Sequence, residues 1–350
     1  MLRPGSDAAA ILLTLAIGGV GLAAALFLGF PAPALTGPAL AVTAFSVASV
    51  RLKISASLRN LCFVVIGLSM GTGVTPEVYE AARQWPLSFV LLAVSICIIF
   101  FACTAMLRRF WKQGRETAIL SSTPGHLSYI LGLSSQTRGD IPTISVIQST
   151  RVLALTLLVP FAVSLMGYDT SIMGLPGATM DLYWLAVSLA CALVLGFLLH
   201  RFRVPAALLL GGMIFSTLTH LTGLVEGHVP QWAVIPAFAI MGSLIGTRFS
   251  GVALSTLRRA LGAGLVVTAI AFVVTIACAA LLVQFIDLPF PQILIAFAPG
   301  GVESMAAVAV ILGADPTFVA AHHVWRLVIL TFLAPAVLGR TQKQTKKNGP

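Results

Sequence analysis

One short stretch of this chain is written twice. Ser121–Ser122–Thr123–Pro124–Gly125–His126, with Asp140 and Arg151 downstream, has a second copy 175 positions later. There Pro299–Gly300, Asp315 and Arg326 stand in the places of Pro124–Gly125, Asp140 and Arg151. The same offset of 175 aligns Gly67 with Gly242, Gly71 with Gly246, Thr72 with Thr247 and Cys103 with Cys278. Pro31 and Pro205, like Gly37 and Gly211, match at 174, so one insertion separates the two registers. An ungapped register from Gly67 to Arg151 in a chain of 350 residues means a duplicated unit. Residues 1–175 and 176–338 read as the two membrane repeats, with 339–350 as a basic cytoplasmic tail, and the halves are expected to interleave.

Composition says what surrounds the repeats. Charged residues make up 9% of the chain and hydrophobic ones 58%, with a mean hydropathy of +1.00. A soluble domain carries roughly 25% charged residues, so this chain belongs in a bilayer. The net charge of +10 sits in short clusters between apolar runs, the pattern of cytoplasmic loops. Direct nucleic-acid binding is not expected, because no recognition module or aromatic-interleaved basic stretch accompanies the charge. Cys62, Cys97, Cys103, Cys191 and Cys278 lie in or beside apolar runs and read as small apolar side chains. His322–His323 point to different faces of a helix with no third ligand in sight, so neither a metal nor a cofactor is expected.

Apolar runs lie at 8–30, 34–50, 61–74, 86–107 and 141–165, and again at 181–199, 204–219, 231–247, 260–286 and 316–338. A signal peptide competes for the first run, since Ala32–Pro33–Ala34 resembles a cleavage site. Its length and its counterpart at 181–199 favour a transmembrane helix. The loops between runs flip sign from one copy to the other. Loop 51–59 is +3 and its counterpart 226–234 is −1; 76–84 is −1 and 251–259 is +2. Likewise 108–116 is +3 against −1 for 283–291, and 164–175 is −1 against +4 for 339–350. Under the positive-inside rule the two repeats are therefore inverted. The expected fold is an all-α polytopic membrane protein with two inverted repeats. Each has about five transmembrane helices and one broken or re-entrant segment, 117–135 or 291–313, interrupted at its Pro–Gly. Paired interrupted segments in inverted halves are the usual sequence pointer to a transporter's binding site.

The chemistry at the motif follows from what Pro and Gly leave undone. Pro lacks an N–H and Gly accepts unusual dihedrals, so both stretches free backbone groups that can bind ions or polar solutes. Thr123, Pro124, Gly125, Pro299, Gly300 and Gly301 are thus candidate substrate contacts; the plainer alternative is a kink that packs two helices. Asp140 and Asp315 precede prolines of a first helical turn and read either as N-caps or as ion-coupling carboxylates. Arg151 and Arg326 lie eleven residues further on, roughly 16 Å along a helix and so near the middle of a hydrocarbon core of about 30 Å. A guanidinium at that depth faces either a structural partner or a substrate. Symmetry suggests pairing Asp140 with Arg326 and Asp315 with Arg151. Glu303 has no acidic twin, Ser128 standing in its place, and is a third candidate for ion coupling, against a Glu that snorkels to an interface.

These residues carry a resemblance. Thr-Pro-Gly, Gly-Asp and Thr-Arg-Val in the first copy are matched by Pro-Gly-Gly-Val-Glu-Ser-Met, Leu-Gly-Ala-Asp-Pro and His-His-Val-Trp-Arg-Leu in the second. Together they resemble the duplicated AbrB-type inner-membrane proteins of bacteria, over nearly the whole chain and most specifically in the second copy. The first copy departs from it, with His126 and Tyr129 where the second has Gly301 and Ser304. The resemblance implies a multi-pass protein of the inner membrane and carries two functional labels, regulation of gene expression and ammonia monooxygenation. The second needs a His- and carboxylate-rich ligand set that this sequence does not offer. The residues favour a secondary transporter of a small solute, such as an organic anion, over a membrane sensor or regulator, with the enzyme reading third. Lipid bilayer and solute are the expected partners, self-association is left open, and both termini are expected in the cytoplasm.

The sidedness can be measured directly. Single cysteines at Gly114 and Asp287, in a cysteine-free background, should react differently with an impermeant thiol reagent on intact cells. Position 287 should label and 114 should not; labelling of both or neither would mean parallel repeats.

Overall fold

The computed structural model describes residues 7–72, 85–124, 130, 133–134, 137–168, 170 and 178–347. Among them are thirteen helices and no strand. In the first half these are α1 (Asp7–Phe27), α2 (Pro33–Val47), α3 (Ala56–Gly71), α4 (Trp85–Arg109), α5 (Arg115–Ser122) and α6 (Ile141–Leu165). The second half has α7 (Leu182–Arg201), α8 (Ala207–Leu221), α9 (Gln231–Thr247), α10 (Leu254–Leu282), α11 (Phe290–Phe297), α12 (Val302–Ile311) and α13 (Pro316–Lys347). Six are apolar and long enough to cross a bilayer: α1, α4, α6, α7, α10 and α13 up to Gly339. The protein is an all-α polytopic membrane protein.

Helix bounds follow the duplication. α5 and α11 are both eight residues long, and 115 and 122 become 290 and 297 on adding 175. α6 and α13 start at 141 and 316, the same offset. At about 1.5 Å per residue α5 and α11 are roughly 12 Å long, too short to cross. Their ends are set by the prolines that follow. A residue before proline is pushed out of the α region, and Thr123 (φ −72, ψ 111) and Ala298 (φ −60, ψ 125) are both extended. In the first copy the chain then returns to where it left. The Glu116 side chain accepts from the Arg138 amide, and Thr117 Oγ1 accepts from the Asp140 amide at 3.0 Å. The two ends of the interrupted segment are thereby tied together.

Two helices start earlier than the hydropathy runs. α3 begins at Ala56, where Ser55 Oγ accepts from the Leu58 amide at 3.2 Å, so Arg59 lies on the helix and not in the loop before it. α10 begins at Leu254, which puts Arg258 and Arg259 in its first turns. Hydropathy finds only the apolar part of a helix, whereas capping and propensity decide where it starts.

The chain packs as two compact units, and each takes segments from both halves. Unit 1 is Met1–Arg83, Thr156–Gly251 and Val302–Ala320; unit 2 is Gln84–Leu155, Val252–Gly301 and Ala321–Pro350. Within unit 1 the helix pairs come in mates under the repeat offset: α1·α2 with α7·α8, α3·α8 with α9·α2, and α1·α9 with α7·α3. Loop 50–53 is held there by Asp7, which pairs with Lys53 at 2.7 Å and Arg51 at 3.4 Å, and by Ser250 Oγ, which accepts from the Leu52 amide at 3.0 Å. Unit 2 shows the same mating, α4·α5 with α10·α11, around the self-equivalent pair α4·α10. Its apolar core joins Phe100, Ile119, Leu120, Ile130, Ile144 and Leu338.

Glycines set the closest approaches in unit 1. A Cβ on Gly67 would collide with the carbonyl oxygen of Leu209 on α8, and one on Gly242 with that of Leu35 on α2, the equivalent contact in the other copy. Backbone carbonyls inside packed helices cannot move aside, so these helices cross only where the side chain is a hydrogen. Gly67→Ala and Gly242→Ala should each destabilise the protein by about 1–3 kcal/mol. Gly19→Ala, where nothing lies within 4 Å, should leave the melting temperature in detergent unchanged or raised.

Candidate functional site

A helix ends with carbonyls that have no intrahelical partner. α5 and α11 end inside the protein, where water does not reach them, so each carbonyl needs another donor. At the end of α11 every one from Leu294 to Ala298 has one. Leu294 O accepts from the Ala298 amide at 2.9 Å, Ile295 O from His323 Nε2 at 3.3 Å and Ala296 O from Arg326 Nη2 at 2.9 Å. Phe297 O accepts from Thr275 Oγ1 at 3.4 Å, and Ala298 O from Arg326 Nη1 at 2.8 Å and the Gly300 amide at 2.8 Å. At the end of α5, Gln148 Nε2 donates to Leu120 O at 2.7 Å and to Thr123 O at 2.9 Å. Arg151 Nη1 reaches Thr123 O at 3.4 Å.

The two ends use one design. Arg151 and Arg326 are equivalent by the offset of 175, and so are Gln148 and His323, each three residues before its arginine. Arg151 Nη2 donates to Gln148 Oε1 at 2.6 Å, while the Gln148 amide donates to carbonyls. Arg326 Nη1 donates to His323 Nδ1 at 2.9 Å, while His323 Nε2–H donates to Ile295 O. This pattern fixes His323 as the neutral tautomer with its proton on Nε2. Leu120 and Ile295, the carbonyls reached by the relays, are themselves equivalent, as are Thr123 and Ala298. Both guanidinium groups are buried, at 1% and 2% exposure. Placing an arginine at membrane depth costs about 3 kcal/mol on insertion scales. Several buried carbonyls left unpaired would cost about 1–3 kcal/mol each, and the cations also offset the negative ends of two helix dipoles. The carbonyls win, and the arginines are retained.

The symmetry then breaks. Arg151 Nε donates to the Pro299 carbonyl at 3.1 Å, bridging the interrupted segments of the two copies. Arg326 Nε is buried and has no hydrogen-bond partner among the described residues. Ser121 and Ser122, both 0% exposed, also have hydroxyls without a partner among the described residues, and the second copy has Ala296 and Phe297 in their places. His322 belongs to the second copy alone: it donates from Nε2 to Ser88 Oγ at 2.7 Å, since Ser88 Oγ itself donates to Trp85 O, and stacks on Phe89 at 4.6 Å. Glu303, half-buried in the first turn of α12, is the carboxylate acting on Arg248 at the end of α9, and neither residue has a charged twin.

The acidic candidates take their places at helix starts. Asp140 Oδ2 accepts from Thr143 Oγ1 at 2.6 Å and its Oδ1 from the Thr143 amide at 3.4 Å. Asp315 Oδ1 accepts from the amides of Thr317 at 2.8 Å and Phe318 at 3.3 Å. Burial pushes the Asp315 carboxyl above the usual carboxylate range, against the pull of those two amides. The symmetric pairing of Asp140 with Arg326 is not formed among the described residues, because the aspartate caps α6 and the guanidinium faces carbonyls. Asp315 and Arg151 belong to different units.

Unit 2 therefore brings together Thr123, Pro124, Pro299, Gly300, Gly301, Arg151 and Arg326, while Glu303 and Asp315 lie in unit 1. Gly125 and His126 lie outside the described residues. Sequence reasoning gave Gln148 no role and weighed His323 only as a metal ligand. Matching identical residues could not find them, because the copies do the same work with an amide in one and an imidazole in the other.

The chain matches known proteins over most of its length. Residues 35–341 match the family described as transition state regulatory protein AbrB. The uncharacterised protein YhjN of Bacillus subtilis is 25% identical over 290 residues, covering 78% of this chain and 75% of its own. A candidate regulator of Escherichia coli K12, AbrB, is 23% identical over 317 residues, covering 88% and 89%.

The relay equivalence has a direct test. His323→Gln should melt within about 1 kcal/mol of the native protein, since glutamine does the same work at 148. His323→Leu, which strands Ile295 O and one guanidinium N–H, should lose about 1–3 kcal/mol.

Proposed function

The chain belongs to the AbrB family, and from that premise and the site's geometry we propose that it is a secondary transporter of a small organic anion in the bacterial inner membrane. The observation that carries this reading is the pair of interrupted segments, joined through Arg151 and capped by two buried guanidinium groups. Irregular backbone at membrane depth is tolerated where it is buried in protein or lines a path for solute. The opposite loop charges of the two halves support inverted repeats, and inversion is what lets one site face either side in turn. Repeats 1–175 and 176–338 are the halves of that design, and both termini lie in the cytoplasm. Substrate contacts are assigned to Thr123, Pro124, Gly125, Pro299, Gly300, Gly301 and Arg326, around the turn that Arg151 holds through Pro299 O. Ion coupling is assigned to Asp140, Asp315 and Glu303, with no catalytic chemistry.

A second reading has its own support. The family description and the name of the Escherichia coli relative both point to regulation. In that reading the same site binds a ligand without moving it.

Flux separates the two. Purified protein in proteoliposomes should accumulate at least one organic anion above protein-free vesicles, and an imposed pH gradient should change the rate. Asp315→Asn keeps a good N-cap and should preserve folding while reducing the response to the gradient. A panel of organic anions that shows no flux, with deletion altering gene expression alone, would favour the regulator.

A further inference from the structure

The two arginines are equivalent in sequence and in their carbonyl contacts, yet one of them has a buried donor with nothing to bond. Arg151 Nε–H is taken by Pro299 O. At Arg326 the Nη1 and Nη2 groups are used on Ala298 O, His323 and Ala296 O, and Nε is left over in a side chain 2% exposed. A buried N–H without an acceptor is costly, and one kept in a native protein calls for an explanation, a bound water, ion or ligand among them. The charge points the same way. Among the described residues Arg326 faces carbonyls and a neutral imidazole and no carboxylate lies within 4 Å of it; the charge that acts on it is Arg151, of the same sign. Carbonyl dipoles solvate a guanidinium without neutralising it.

We infer that the Nε–H of Arg326 is the anchoring contact for the carboxylate of a transported solute, and that Arg151 holds the Pro299 turn and does not bind substrate. The inference rests on the transport reading and sharpens it from two equivalent arginines to one. A carboxylate supplies what is missing at this atom, one acceptor oxygen and one negative charge, in the geometry guanidinium groups favour. The hydroxyls of Ser121 and Ser122, buried and unpartnered in the same unit, are further donors that the first copy alone provides.

The test is equilibrium binding by the purified full chain in lipid nanodiscs, read as thermal stabilisation against rising acetate, lactate, benzoate or succinate, with sulfate and phosphate alongside. Lysine keeps the charge but has no Nε–H fork. Arg326→Lys should weaken the half-saturating concentration of the best carboxylate at least tenfold, and Arg151→Lys should change it less than threefold. Should Arg326→Lys fail to fold, arginine-labelled native protein decides: carboxylate should shift the side-chain Nε resonance of one buried arginine, and that resonance should persist in Arg151→Lys. Loss of binding in Arg151→Lys with retention in Arg326→Lys would overturn the assignment and leave the anion reading standing. Stabilisation by sulfate or phosphate alone would overturn the carboxylate class. No stabilisation by any anion would overturn the inference together with the anion part of the proposed function, while flux of neutral solutes would still be measurable in proteoliposomes.

Discussion

A backbone carbonyl that ends a helix in a place without water must find a donor inside the protein. Most of what is unusual in this chain follows from that requirement. Two eight-residue helices, α5 and α11, stop short because prolines two positions past their ends push Thr123 and Ala298 into extended backbone. The carbonyls so released sit among residues of 0–1% exposure. One arginine and one relay residue for each end answer the need, and a guanidinium, with five N–H groups in a fixed fork, is the side chain that can serve several carbonyls at once.

Duplication explains why the solution appears twice, and divergence explains why it is not the same twice. The relay at 148 is an amide and at 323 an imidazole, two groups that can each accept from an arginine and donate to a carbonyl. That exchange preserves the local hydrogen bonding while changing its chemistry. Other exchanges do not preserve it. Ser121 and Ser122 stand where the second copy has Ala296 and Phe297, and their hydroxyls have no hydrogen-bond partner among the described residues. Differences that packing does not explain are where a duplicated protein would keep a single site rather than two.

Much of the fold was legible in the sequence because a bilayer permits so little. Low charge and helix-length apolar runs indicated the class, and helix pairs such as α3·α8 and α9·α2 stand at the offset of 175 read from the sequence. The start of α3 was missed because Ser55 and the polar turn after it carry no hydropathy signal. The arginines were found, but what they face was not. Depth along a helix says that a guanidinium must have partners, and it does not distinguish a carboxylate from a row of carbonyls. Gln148 and His323 were passed over for a related reason. Their equivalence lies in what the groups can donate and accept, which identity matching does not see.

The three carboxylates proposed for coupling are not equal once their neighbours are known. Asp140 uses both oxygens on Thr143, in the hydrogen bonds that start α6. Glu303 shares its surroundings with Arg248 and serves as its counter-charge. Asp315 is different. Its Oδ1 takes both cap bonds, from the amides of Thr317 and Phe318. Burial raises its pKa, against those amides and the Thr317 side chain, which pull the other way. That raised carboxyl is the ground on which Asp315 is proposed for coupling, and it stands at the start of α13, the helix that carries Arg326.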